Sequence, residues 1–158
     1  MVCRQRLPCS PGAVLTVPAG LVCQLRVGLH VELGAACETI SQIVNTPGRE
    51  EHAECYQEPL KHLDAARWLL EVIGWANTGS PTDVEVDLRE HRWVLLAALE
   101  SQLESETYIL DDLTEHGRER GDHSARVKAL REFATEARAT PSASTPTTAR
   151  SPDSAGTG

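Results

Sequence analysis

The chain has 158 residues, 41% of them hydrophobic and 24% charged, which suits one globular domain. Its formal net charge is −8, and residues 21–138 alone hold 22 acidic against 12 basic side chains. An acidic domain repels phosphate backbones, so this composition argues against nucleic-acid binding, and no apolar run reaches the length of a membrane span.

Three Trp, two Tyr and one Phe leave the core to Leu, Val, Ile and Ala, a composition that leans helical. Thirteen of the 15 basic residues are Arg, the codon signature of a high-GC bacterial genome. The five Cys are odd in number and form no CxxC pair, so free thiols in a reducing cytoplasm are expected.

Residues 1–19 contain three Pro and one Gly and read as a disordered segment, one whose removal the fold should tolerate. Pro18 and Gly20 interrupt the apolar stretch behind Arg4 and Arg6, and no small-residue cleavage pattern follows, so a signal peptide is not expected. A first helix is predicted from about Leu21 to Val44. Val22, Leu25, Leu29, Leu33, Ala36, Ile40, Ile43 and Val44 recur on one face. Leu25, Val27, Leu29, Val31 and Leu33 also alternate as in a strand, but the helical stripe is longer. Cys23 and Cys37 flank that stripe and read as small apolar fillers. They lie four turns apart, about 21 Å, too far to bridge within a chain.

Asn45-Thr46-Pro47-Gly48 ends this helix, and a polar stretch follows. A second helix is predicted from Pro59 to about Ala76, with Leu63, Ala66, Leu70 and Ile73 as its core face. A third is predicted from Asp87, which with Glu90 forms a capping-box variant, to about His116. Leu88, Leu95, Leu99, Leu103, Leu110 and Leu113 make its stripe. A fourth covers about His123 to Arg138, with Val127, Leu130, Ala134 and Ala137 inward. Residues 139–158 are rich in Ser, Thr, Pro and Ala and are expected to be disordered. The expected fold class is therefore all-α: an antiparallel helical bundle of about four unequal helices over residues 20–138, with disordered termini. The long third helix should project from the bundle or pair with another chain.

No motif specifies a reaction. Nucleophile elbows, phosphate loops, His-Glu-x-x-His and the Glu-x-x-His pairs of di-metal bundles are all absent. His52, Cys55 and His62 are weak metal-ligand candidates, since imidazole and thiolate lie within a dozen residues. Acids four residues before His62, His91, His116 and His123 read as ordinary helical partners. No catalytic residue and no cofactor is assigned.

The distinctive sequence feature is a second apolar surface. Trp68, Val72 and Trp75 lie off the core face of the second helix, and Trp93 lies off that of the third. These four are the candidate interface. The third helix also bears six acids and no Lys or Arg between Trp93 and Gly117, while the fourth is rich in Arg; pairing between them is expected. The functional expectation is a non-enzymatic protein-interaction or regulatory module. It would be cytoplasmic and homo-oligomeric, or bound to a protein partner, with no nucleic acid and no membrane. The alternative is a small metal-dependent or thiol-using bundle enzyme. A DNA-binding regulator is the weakest reading, because no basic recognition helix is visible.

Overall fold

The computed structural model describes residues 14–75, 82–88, 91–117 and 121–140. Four helices pack against one another: α1 (Ala19–Val44), α2 (Gln57–Ile73), α3 (Arg92–Glu115) and α4 (Gly121–Ala139). A 3-10 turn (Ala53–Tyr56) leads into α2. α1 lies between α2 and α3, and α4 covers the other side of α3. The fold is thus a mostly helical bundle, as the heptad-like periodicities require.

One element departs from the all-helical expectation. Strand β1 (Val14–Val17) pairs antiparallel with strand β2 (Val84–Asp87), with Val14 opposite Asp87 and Val17 opposite Val84. Leu15 and Val17 point inward and are buried with Val86. Residues 14–17 therefore belong to the folded unit, although they fall within the segment expected to be disordered; residues 1–13 and 141–158 lie outside the described residues. The signal was present in Val84-Glu85-Val86-Asp87, which alternates with period two over a length too short to separate from a helix start. Asp87 is accordingly a strand residue and not a helix cap. His91 occupies the N-cap of α3, without a side-chain capping bond. Leu88, expected on the third helix, is buried in the connection before it.

Tertiary contacts supply what local sequence does not. Pro18 stands at the N-cap of α1 and has no side-chain donor or acceptor, and the Ala19 amide donates instead to Asp83 Oδ1 at 2.8 Å. The carboxylate beside β2 thus caps a helix 64 residues earlier, where the dipole favours negative charge. Two turns further along α1, the buried Arg26 donates from Nε to the Gly74 carbonyl at 2.7 Å and from Nη2 to the Ile73 carbonyl at 3.4 Å. A cation is thereby held at the C-terminus of α2, the end the macrodipole makes negative. Gly74 has φ 89°, a left-handed conformation that turns the chain away from the helix axis.

The core runs along the middle of the bundle. Leu25 and Leu29 of α1, Leu69 and Leu70 of α2, Leu95 and Leu99 of α3 and Leu130 of α4 are fully buried. Val17 and Val86 of the sheet close one end. The inward face of α4 is as its periodicity predicts, with Phe133 added. α3 and α4 run antiparallel. Glu100 accepts from Arg138 at 2.9 Å, and Glu106 accepts from His123 Nδ1 at 2.6 Å with Arg126 at 3.7 Å. The expected charge pairing between these helices is present. It lies on Glu100 and Glu106, and it places the long third helix against α4.

Candidate functional site

Two partly exposed tryptophans meet one cleft between α2 and the start of α3. Helical spacing puts Leu60, Asp64 and Trp68 on one side of α2. His91 and Trp93 approach from the first residues of α3 because β2 delivers the chain there and the His91 amide donates to the Leu88 carbonyl at 2.7 Å. The cleft has a volume of about 550 Å3 and is rimmed by Gln57, Lys61 and Asp64. Its walls are aromatic. The Trp68 and His91 rings lie 4.5 Å apart at 38°, and Trp93 meets the His62 ring edge-on at 5.1 Å and 63°. Such pairs hold the rings in defined orientations.

His62 is fixed from behind. Its Nε2 donates to Glu32 Oε2 at 2.7 Å, tying α2 to α1 and setting the ring plane against which Trp93 packs. The local partner that spacing suggested, Glu58, is not used. His116 does take its local partner: its Nδ1 donates to the Asp112 carbonyl at 2.8 Å and lies 3.4 Å from the Asp112 carboxylate. Glu119, the local partner expected for His123, lies outside the described residues.

The four residues expected to form one interface are divided by the fold. Trp68 and Trp93 share the cleft. Trp75 sits past the end of α2, beyond the left-handed Gly74, so the helical phase that aligned it with Trp68 no longer applies. Its ring packs 5.7 Å from that of His30 on α1, and its carbonyl accepts from His30 Nε2 at 3.3 Å. Val72 is exposed.

The metal candidates are likewise separated. His52 lies 3.5 Å from Glu54 on the surface, Cys55 is half-buried in the 3-10 turn, and His62 is held by Glu32. Among the described residues, no group of three or more His, Cys, Asp or Glu is placed to hold a metal ion. Cys23 and Cys37 are both exposed, not the buried fillers expected from their position beside the core stripe. The Trp68–His91 stack had no signal in the sequence, because His91 lies outside any helical register shared with Trp68.

A second cleft of about 410 Å3 lies between the start of α1 and α4, lined by Pro18, Leu21, Ala129 and Phe133. It has no Trp or His. Among the described residues, no helix is long and apolar enough to cross a membrane. No family model, no curated protein and no solved structure matches this chain.

Proposed function

We propose that this chain is a non-enzymatic protein-interaction module of the bacterial cytoplasm, and that the Trp68–His91–Trp93 cleft receives an apolar side chain of a basic protein segment. The observation supporting this reading is the cleft itself: two Trp rings, oriented by His91 and His62, wall a concavity open to solvent. Fixed aromatic walls give binding area at little entropic cost, and Trp is enriched where interfaces concentrate their energy. The excess of acidic side chains over residues 21–138 favours a basic partner by long-range attraction. The Arg-rich codon signature supports the bacterial assignment, and Cys23, Cys37 and Cys55, free thiols among the described residues, suit a reducing cytoplasm.

Photocrosslinking tests the reading. A photoreactive phenylalanine analogue replaces Leu60 at the cleft rim, and the same analogue replaces Lys128 on the exposed face of α4, away from the cleft. The expected result is a discrete protein adduct from Leu60 in native cells, absent from Lys128 and lost on adding Trp93→Ala. Equal adducts at both positions, or an adduct indifferent to Trp93→Ala, would overturn the reading.

A further inference from the structure

The walls of the Trp cleft have the chemistry of a cation cage. Three of the side chains lining it are rings, Trp68, His91 and Trp93, and one is a carboxylate, Asp64. Trp68 packs against the core, and Trp93 is 39% exposed. The two indoles come from different helices and are held by different imidazoles, His91 at 4.5 Å from Trp68 and His62 at 5.1 Å from Trp93. Among the described residues, no Lys or Arg lies over either indole. The cation that an indole face attracts is therefore not supplied by the chain itself.

The charged groups stand at the solvent edge. Asp64 and Lys61 are both exposed, lie three residues apart on α2 and form no ion pair among the described residues. Leu60 and Ala65 line the cleft beside them. An ordinary ammonium or guanidinium entering between the rings would strip water from its N–H donors and find Asp64 as the one carboxylate of the lining. A quaternary ammonium carries the same charge with no N–H. Its methyl groups spread that charge over an apolar surface that packs on indole faces, so its desolvation leaves no donor unsatisfied.

We infer that the side chain entering this cleft is a trimethylated lysine of the partner segment, its quaternary ammonium held against Trp68 and Trp93 with Asp64 as the countercharge. The inference rests on the cleft being the partner-binding site proposed above. A methylated lysine joins the two properties that site calls for, apolar surface to fill the cleft and positive charge for an acidic domain. Lys61 opposes the cation, although its long stem lets the head turn out to water. The two exposed charges thus have opposite effects on one ligand, which a purely apolar cleft would not produce.

The test titrates the full-length protein with the Nα-acetyl amide of trimethyllysine and with its neutral isostere, in which carbon replaces the charged nitrogen. The indole N–H resonances of Trp68 and Trp93 report binding, and Trp75, packed on α1, is the internal reference. The cation is expected to bind about tenfold tighter than the isostere. It should also bind tighter than the matching amides of unmethylated lysine and arginine. Asp64→Asn should weaken it about threefold, Lys61→Gln should tighten it by about the same factor, and Trp93→Ala should abolish it with helical circular dichroism unchanged. Equal binding of the isostere overturns the cation and leaves an apolar anchor standing. Equal binding of the arginine amide overturns the methyl assignment. Choline binding as tightly as the trimethyllysine amide overturns a partner side chain as the source, and no saturable shift overturns the inference outright. The Leu60 adduct in cells is read independently, so a captured partner that lacks a methylated lysine sinks this inference and not the interaction reading.

Discussion

Gly28 of α1 crosses Ala98 of α3 so closely that a β-carbon on the glycine would lie 2.5 Å from the Ala98 carbonyl oxygen. The same atom would meet Ala98 Cβ at 3.1 Å. The absent side chain lets two helix backbones touch at the centre of the bundle, and Leu25 and Leu29 pack on either side of the contact. Gly28→Ala would gain about 1 kcal/mol of helix propensity but force the helices apart. A net loss of roughly 1–2 kcal/mol is expected, read as a fall of several degrees in melting temperature. Adding Ala98→Gly should not restore stability, because the closest clash is with main chain; full rescue would show that the crossing is set by side chains.

Arg26 holds the end of α2 from α1. Arg26→Met keeps much of the apolar stem but abandons the Gly74 and Ile73 carbonyls. The expected cost is about 2–3 kcal/mol, the range for hydrogen bonds to a charged donor that leave buried acceptors behind. Arg26→Lys should recover less than half of it, since one ammonium does not reproduce the guanidinium fork. Urea melts measure both, and a loss below about 0.5 kcal/mol for Arg26→Met would show that water serves these carbonyls equally well.

Removal of residues 1–18 is expected to destabilise the protein by about 3 kcal/mol or more. It strips away Leu15 and Val17, each worth about 1.5–3 kcal/mol of burial, and leaves β2 without its partner. Calorimetry of the shortened chain checks this. An unchanged melting temperature would mean that the sheet contributes nothing to stability.

The charge contacts between α3 and α4 give unequal predictions along one helix. Glu106 is partly buried and faces both His123 and Arg126, whereas Glu104 is exposed and forms no ion pair among the described residues. Glu106→Gln should cost about 1 kcal/mol and Glu104→Gln about 0–0.5 kcal/mol. A double-mutant cycle between Glu100 and Arg138 should show a coupling of a few tenths of a kcal/mol that fades with added salt. Equal losses at positions 104 and 106 would show that helix–helix pairing is not what Glu106 contributes.

The helices were legible because their determinants are local. Leu25, Leu29 and Ala36, or Val127, Leu130 and Ala134, repeat at the helical period within a single segment, and burial follows that period. Even the ambiguous alternation from Leu25 to Leu33 has a local meaning: Leu25 and Leu29 are buried while Val27 and Val31 are exposed, because α1 is apolar on two sides and not because it is a strand. The pairing of β1 with β2, the capping of Ala19 by Asp83 and the grip of Arg26 on Gly74 join residues 48 to about 70 positions apart, and no window of sequence contains both partners. The Trp residues show the same division most sharply. Their apolar excess is readable in sequence, but one left-handed glycine sends Trp75 to α1 while a strand brings His91 and Trp93 to Trp68. Which aromatic rings share a surface is decided by where the chain turns and what it packs against, and only the tertiary structure holds that information.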